Sequence, residues 1–158
     1  MKILALDLGT HTGWALLEAG HVESGVQVFD VKRGESPGMR YLRFNRWLEE
    51  MAGGDPRPDA IIFEQAHHRG GAATEVAAGF STRILEFCAR HGIEHASVHT
   101  ATLKKFATGK GNADKEAMLE AARQRFKPDL ASDDEADALW ILEFARREIL
   151  AEMEAMTA

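Results

Sequence analysis

Apolar and polar positions along the chain fall into short strand-like runs near its start and longer helix-like runs after them. Residues 2–8 are almost entirely apolar and predict a buried strand. Two further strands are predicted at 14–17 and 22–31, and glycine-containing turns at 9–13 and 20–21 separate the three. Strands joined by such short turns indicate an antiparallel meander.

Helices and strands alternate in the remainder of the chain. The first helix is predicted to begin at Ser36-Pro37, with Ser36 as its N-cap and Pro37 at its first position, and to end before the Gly/Pro-rich segment 53–58. The elements predicted after it are a strand at 60–64, a helix at 72–91, a strand at 93–98, helices at 100–107 and 113–126, and a last helix from about 132 to 154. This order, βββαβαβα with extra helical pieces, predicts an α/β fold with a mixed five-stranded sheet and helices on both faces.

Length and composition fit one globular domain over residues 1–158. The chain is 45% hydrophobic and 28% charged, and it contains no linker, internal repeat or low-complexity segment. No apolar stretch approaches the ~20 residues of a membrane-spanning helix, and the first residues lack the apolar region of a signal peptide. Cys88 is the only cysteine, which excludes an internal disulfide and favours a reducing cytoplasm.

A lone carboxylate interrupts the first apolar run. Asp7 follows Ile3-Leu4-Ala5-Leu6 and precedes a glycine-rich segment. A buried carboxylate is costly unless it is paired, protonated or bound to a metal ion. Asp7 is therefore a candidate metal ligand, and the alternative is a structural role in which it caps the turn that follows.

More acidic residues stand at the end of the 60–64 strand and at the start of the last helix. Glu64 ends its strand at the edge where open α/β sheets often carry functional groups. Asp134 and Asp137 are three residues apart and share a helix face, but acids such as Asp133 and Asp134 also complement a helix dipole. Asp137 lies beyond the first turn and is the better ligand candidate. The sequence leaves open whether Asp133 or Asp134 joins it.

These acids on separate core elements predict a carboxylate cluster built for divalent metal. Ser132-x-x-Glu135 matches a capping box, so Glu135 is interpreted as structural. Ions such as Mg²⁺ prefer oxygen ligands. Two of them ~3.5–4 Å apart can clamp the attacking and leaving oxygens of a phosphodiester.

Positive charge is concentrated in one segment of an otherwise acidic chain. The formal net charge of −6 argues against a polyanionic partner, although two bound divalent cations would change it to −2. Four lysines lie within twelve residues, in and around the glycine-containing loop 108–112, namely Lys104, Lys105, Lys110 and Lys115. Lys115 opens a predicted helix, where a cation is unfavourable beside the dipole, and this position hints at a phosphate contact. The alternative is a solvated basic face.

Two motif matches fail when their surroundings are considered. Residues 134–137 spell the DEAD box of helicases, but the chain has no P-loop to accompany it. His95 and His99 have zinc-like spacing without a second pair of ligands, and are interpreted as part of a polar strand edge. His67 and His68, in the loop after the fourth strand, are either substrate contacts or ordinary loop residues.

Four segments in this order resemble the RuvC-type Holliday junction resolvases of the ribonuclease H-like superfamily, and small phage relatives in particular. They are the segments around Asp7 (LDLGT) and Glu64 (IIFEQ), the span from Lys104 to Lys115 (ending GKGNADK), and the acids from Asp134 to Asp137 (DEADAL). The resemblance covers residues 3 to about 145. The chain departs from the family pattern in its acidic balance and its compact length.

The resemblance implies an endonuclease that resolves four-way DNA junctions in the cytoplasm of a bacterial or phage-infected cell. It implies a ribonuclease H-like fold, two Mg²⁺ or Mn²⁺ ions per active site, and a homodimer, which a symmetric junction also favours. The implied metal ligands are Asp7, Glu64, Asp134 and Asp137, with Lys115 as a catalytic cation. The candidate DNA contacts are Lys104, Lys105, Lys110, Lys115, His67, His68 and Arg69. The helix at 72–91, rich in small residues, is the candidate dimer face.

Other interpretations compete with the resolvase. The LDLGT segment around Asp7 also occurs in actin-like sugar kinases, but those proteins need two such domains and 158 residues do not supply both. A non-catalytic junction-binding module would leave the position of Asp7 in a strand unexplained. A nuclease with a broader choice of branched substrates, such as flaps, replication forks or RNA–DNA hybrids, remains open, because loops that read shape carry no readable code.

Overall fold

The computed structural model describes residues 1–65 and 70–158. The strands are β1 (Lys2–Asp7), β2 (His11–Glu18), β3 (His21–Val28), β4 (Ala60–Glu64) and β5 (Glu94–Val98). The helices are α1 (Gly38–Ala52), α2 (Ala72–His91), α3 (Thr100–Thr108), α4 (Lys115–Arg125) and α5 (Asp133–Thr157). No helix among the described residues is long and apolar enough to cross a bilayer.

The five strands form one mixed sheet in the order β3-β2-β1-β4-β5. β1 pairs antiparallel with β2, which pairs antiparallel with β3, as the short connections between them require. β1 pairs in parallel with β4, and β4 with β5, through helical crossovers. The predicted meander and the predicted mixed sheet are both confirmed.

Side-chain alternation along β1 divides the core into two layers. Ile3 and Ala5 pack with α3, α4 and α5 on one face, whereas Leu4 and Leu6 pack with α1 and α2 on the other. All four side chains are fully buried. Helices therefore cover both faces of the sheet, as predicted, and a residue's place in the alternation decides which helices it meets.

The predicted turn over residues 9–13 is wrong in its extent. β2 begins at His11 rather than Trp14, so the chain reverses over the three residues Leu8, Gly9 and Thr10. Thr12 is fully buried, and its hydroxyl donates to the carbonyl of Gly9 at 2.7 Å, which fixes this short turn. Gly13 lies inside β2 opposite Asp7. The sequence analysis placed Gly13 in a turn rather than a strand because glycine is a common signal for a turn.

Other boundaries differ by a few residues. β3 ends at Val28 rather than residue 31, because Phe29 turns into the core beneath α1. Pro37, not Ser36, is the N-cap of α1, and no side chain caps that helix. The Ser36 hydroxyl accepts a hydrogen bond from the backbone N–H of Gly38 at 3.2 Å instead.

The predicted capping box at the start of α5 is formed only in half. Ser132 is the N-cap, and its hydroxyl accepts the backbone N–H of Glu135 at 3.3 Å. The Glu135 carboxylate does not return to the cap. It accepts hydrogen bonds from the Ser24 hydroxyl at 2.7 Å and from the Lys127 ammonium at 3.2 Å, so it ties α5 to β3. Glu135 is structural, as predicted, but by a different contact.

Candidate metal centre

Parallel pairing of β1 and β4 brings two carboxylates to one edge of the sheet. Leu6 lies opposite Phe63 in the register, so the next residues, Asp7 and Glu64, end the two strands side by side. Asp7 continues the face of Ile3 and Ala5, and Glu64 continues the face of Ala60 and Ile62. Both side chains therefore lie on the side of the sheet that α5 covers.

The first turns of α5 complete the cluster. The helix packs closely on β1 and β2 because Gly13 has no side chain: a β-carbon there would overlap the backbone carbonyl of Asp134. This approach brings Asp137 to the strand ends. One carboxylate oxygen from each of Asp7, Glu64 and Asp137 lies within 4.8 Å of the others. Three acids from distant parts of the chain thus converge on one point.

The pKa values of these acids reflect their burial and, after it, their crowding. Burial raises the pKa of Asp7 well above its ordinary value, and the negative charges of Asp137 and Glu64 raise it further. Burial likewise raises the pKa of Asp137 to about 7, with Glu64 as the largest contributing charge. Burial first, and repulsion between the carboxylates second, therefore both favour the protonated forms of Asp7 and Asp137 when no cation is bound.

The donor set fits a hard divalent cation. All three groups present carboxylate oxygens, the ligand type that Mg²⁺ and Mn²⁺ prefer. Among the described residues, Oδ1 of Asp137 is buried and has no hydrogen-bond partner. A buried oxygen without a donor is costly, and a bound cation would satisfy it.

Asp134 and Asp133 stand beside this group of three and differ from each other. Burial and the neighbouring Asp133 raise the pKa of Asp134, and its side-chain interaction with Asp7 acts in the opposite direction. Asp133 instead faces α4, where its Oδ2 lies 3.4 Å from the ammonium of Lys115. Asp134 is therefore the one of the two that borders the cluster, whereas Asp133 forms an ion pair with Lys115.

Lys115 and Lys104 border the cluster on its β4 side. With Glu64 and Asp137 they line a small cavity of about 30 Å³. The charge of Asp133 raises the pKa of Lys115, and Asp134 and Asp137 add to the effect. Lys115 is the first residue of α4, where the dipole disfavours a cation, and these facing acids offset that cost.

The other predicted DNA contacts are placed differently. Lys105 and Lys110 are exposed and do not line that cavity. His67, His68 and Arg69 fall outside the described residues, so their predicted contacts stay predictions.

Thr100 is a residue near the site that the sequence analysis missed. Its hydroxyl donates a hydrogen bond to Oε1 of Glu64. Thr100 begins α3 one residue after the end of β5, whose Val98 lies opposite Glu64 in the register. The strand order needed to place it there could not be read from the sequence, although a threonine at a helix start was a usable signal.

His11 is a second missed neighbour. It is exposed at the start of β2, and its charge when protonated would lower the pKa of Asp134. The sequence analysis did not place His11 near the acids, because it assigned residues 9–13 to a turn and predicted that β2 starts three residues later.

An open groove leads to the carboxylates from the side of α2. It has a volume of about 200 Å³, and its lining includes Asp7, Glu64 and Gln65 from the sheet and Thr74 from α2. The cluster is thus reachable from solvent and is not sealed in the core. An extended polar substrate could lie along the sheet edge and present one group to these acids.

Comparison with known proteins identifies the fold. No protein-family model matches the chain, and no curated protein matches its sequence. Among solved structures, Thermus thermophilus RuvC in complex with a Holliday junction substrate is similar, with a TM-score of 0.70 and 21% identity over 89% of this chain and 90% of that chain. A second T. thermophilus RuvC structure has a TM-score of 0.66 and 23% identity over the same shares. The chain has the ribonuclease H-like fold of RuvC.

Proposed function

We propose that this protein is a metal-dependent endonuclease that cuts branched DNA, with the four-way junction as its substrate. The observation that carries the proposal is the convergence of Asp7, Glu64 and Asp137 within 4.8 Å at an accessible sheet edge. The likeness to a RuvC that is bound to a Holliday junction supports the choice of substrate. The nuclease domain spans residues 1–158 in this proposal.

The carboxylate cluster would hold two Mg²⁺ or Mn²⁺ ions. Asp7, Glu64 and Asp137 are the proposed ligands, and Asp134 is the proposed fourth carboxylate because it borders Asp7. When bound, such ions activate a water molecule and offset the charge that develops on a phosphodiester during in-line hydrolysis. The raised pKa values of Asp7 and Asp137 mean that metal binding would release protons from the site.

The chain's own residues position the phosphate and limit the charge around it. Lys115 is exposed beside the cluster, and in the complex its ammonium would leave Asp133 to contact a non-bridging phosphate oxygen. Thr100 fixes the rotamer of Glu64 by donating to one of its oxygens, which leaves the other oxygen free to point into the cluster. Lys104, half-buried behind them, adds positive charge on the same side.

A homodimer is part of the proposal, because a four-way junction is close to two-fold symmetric and needs two cuts. The proposed dimer face is the exposed side of α2. Gly79, one of the small residues of α2, is needed for packing within the protomer, because a β-carbon there would overlap the ring of Tyr41 in α1. The exposed residues of α2 that do not line the groove, such as Ala72 and Leu85, are available for a second copy.

A cleavage assay across DNA shapes tests the proposal. Four-way, three-way, flap and linear DNA are incubated with Mg²⁺, with Mn²⁺ and with EDTA, and the products are resolved by length. We expect metal-dependent cuts in the four-way junction, placed symmetrically about its centre. Preferential cutting of flaps would support metal-dependent cleavage but reject the four-way junction as the substrate. Binding without cutting under every condition would reject the nuclease proposal.

Asp7→Asn is the sharpest variant for this assay. It should abolish cleavage while junction binding is retained or strengthened, since a charge that repels phosphate is removed. Asp59→Asn is its matched control, because Asp59 is exposed just before β4 at the opposite edge of the sheet. An asparagine there can still accept the backbone N–H of Lys2, which Asp59 accepts at 2.7 Å. Full cleavage by Asp7→Asn would overturn the metal assignment.

A further inference from the structure

The connection from β3 to α1, residues 29–36, lies at the same edge of the sheet as the carboxylates. β3 runs parallel to β1, and its last residue, Val28, pairs with His11 at the start of β2. The backbone N–H of Phe29 donates to the carbonyl of Thr10 at 2.7 Å. This connection, called here the β3–α1 loop, therefore begins beside the turn that follows Asp7.

The loop is held at its base by an aromatic anchor. The Phe29 side chain is 2% exposed, and its ring makes edge contacts with Phe44, Trp47 and Phe80 at centroid distances of 5.4, 5.6 and 5.3 Å. The guanidinium of Arg40 donates to the Phe29 carbonyl at 2.9 Å. Exposed residues of the loop thus project from a fixed point of the core.

Arg43 of α1 fixes the other side of the loop. Its guanidinium donates to both carboxylate oxygens of Glu35 and to the carbonyl of Asp30 at 3.1 Å. Glu35 also accepts the backbone N–H of Lys32 at 2.8 Å, while its own N–H donates to the Lys32 carbonyl at 3.0 Å. The pKa of Glu35 is lowered to about 2, chiefly by the hydrogen bond from Arg43.

These contacts close a tight turn whose tip is basic. Arg33 lies at the tip and Lys32 directly before it, and both are exposed. Neither forms an ion pair with any residue in the described parts of the chain. Arg43 forms an ion pair with Glu35, and the charge of Lys32 also acts on that carboxylate. Lys32, Arg33 and Arg43 together face the two acids of the loop, Asp30 and Glu35. A rigid basic tip in a chain of net charge −6 stands out as a place for an anion.

The tip lies on the opposite flank of the cluster from the lysines already described. In the strand order β3-β2-β1-β4-β5, Lys104 and Lys115 follow β5, whereas Lys32 and Arg33 follow β3. The carboxylates at the ends of β1 and β4 lie between these two basic flanks. A nucleic acid that crosses the sheet edge with its phosphate at the cluster would meet positive charge on both sides.

We propose that Lys32 and Arg33 form a second DNA-backbone site, which binds phosphates of the arm that leaves the cluster on the β3 side. The inference rests on the proposed function for the identity of its ligand. β3 lies two strands from β1, about 10 Å away at ~4.8 Å per strand.

Salt dependence of binding measures such contacts directly. The probe is an immobile four-way junction carrying a fluorophore, titrated in EDTA so that cleavage cannot occur, between about 50 and 200 mM salt. The double variant Lys32→Ala/Arg33→Ala should weaken binding about tenfold at the lowest salt. Its slope of log K against log salt should be shallower by about 1.8, because each lost phosphate contact removes ~0.9.

The matched control removes two arginines from the opposite edge of the sheet. Arg57 precedes β4 and Arg90 lies in the last turn of α2, and both are exposed. Arg57→Ala/Arg90→Ala changes the net charge from −6 to −8, as Lys32→Ala/Arg33→Ala does. Any loss of DNA affinity that comes from net charge alone is therefore the same in both double variants. Circular dichroism melting of all proteins shows that each variant is folded.

The possible outcomes separate this inference from the nuclease proposal. If the slope of log K against log salt is shallower in Lys32→Ala/Arg33→Ala, here called the loop variant, and not in the control, the second site is supported. This holds even if the wild-type protein cuts no DNA shape in Mg²⁺. An equal slope for the loop variant and the wild type overturns it, even if the wild type cuts junctions. Equal losses in the loop variant and the control also overturn it, because they would reflect net charge alone.

Discussion

Gly13 and Asp134 meet so closely that only a glycine fits between β2 and the start of α5. A β-carbon at residue 13 would overlap the carbonyl oxygen and carbon of Asp134 and lie 3.0 Å from the nitrogen of Glu135. These are backbone atoms at the start of a helix, which cannot rotate away as a side chain can. The distance between α5 and the sheet, and with it the position of Asp137, depends on the absence of one methyl group.

Gly13→Ala should therefore damage both stability and the metal centre. We expect a loss of about 1–3 kcal/mol in the free energy of unfolding, the usual cost of overpacking, and weaker Mn²⁺ binding because α5 is displaced. Urea unfolding and calorimetric titration with Mn²⁺ measure the two effects. Gly9→Ala is the control, since its β-carbon would meet the nearest atom, the His11 carbonyl oxygen, at an ordinary 3.6 Å. Equal Mn²⁺ affinity in both variants would contradict the role assigned to Gly13.

Stability without metal should depend on pH through Asp137. Burial and the nearby acids raise its pKa to about 7 in the folded protein, above the ordinary value of 3.8 that holds in the unfolded chain. Its stabilising contribution is then fully present below about pH 4 and is lost as the pH rises through about 7. Each unit by which the folded pKa exceeds the unfolded one corresponds to about 1.4 kcal/mol.

The measurement is urea unfolding in EDTA between about pH 4 and pH 8. The wild type should lose stability across this range relative to Asp137→Asn, which keeps the shape of the side chain and cannot ionise. Added Mg²⁺ or Mn²⁺ should restore the wild type most strongly at the alkaline end, because ions that bind the folded state stabilise it. If the free energies of unfolding of the two proteins change in parallel with pH, the pKa of Asp137 is not raised by folding.

Thr100 should control metal affinity through Glu64. Thr100→Val removes the hydroxyl that donates to Glu64 and preserves the shape of the side chain. We expect Mn²⁺ affinity to fall about ten- to a hundredfold, as is usual when a residue that orients a ligand is lost. Thr100→Ser should restore it, because serine keeps the donor. Calorimetric titration with Mn²⁺ is the readout, and failure of serine to rescue would assign the effect to packing of α3 instead.

Lys115 should affect the rate of cutting more than binding. Its ammonium is 3.4 Å from Asp133 and beside the cluster, so Lys115→Ala should slow single-turnover cleavage of a four-way junction by about a hundredfold. Junction affinity in EDTA should fall much less. Lys105→Ala is the comparison, since Lys105 is exposed on α3 and does not line the cavity beside Glu64. If both variants lose rate and affinity in proportion, Lys115 is a plain electrostatic contact.

The sequence predicted the sheet and the positions of its carboxylates because both follow from local patterns. The apolar run that ends at Asp7 and the run that ends at Glu64 are strands with one acid each, and strand alternation places both acids on one face. The spacing of Asp134 and Asp137 predicted a shared helix face. The structure brings one carboxylate oxygen of Asp137 within 4.8 Å of those of the strand acids and leaves Asp134 beside Asp7.

What the sequence could not provide were features that depend on how elements pack. Asp133 and Asp134 occupy the same first turn, and only the position of Lys115 on α4 distinguishes their partners. Gly13 carries the signal of a turn, and its role in a strand follows from a helix that lies far along the chain. Thr100 contacts Glu64 because β5 lies beside β4, a choice of neighbour that no local pattern encodes.

The order of elements along the chain also bears on when the protein can act. α5 follows every strand of the sheet, yet it carries Asp137 and packs on β1 and β2. A ribosome must therefore release the whole sheet and then α5 before the carboxylates can meet. A nascent chain that ends before Asp137 lacks the third carboxylate of the cluster, however completely its sheet has formed.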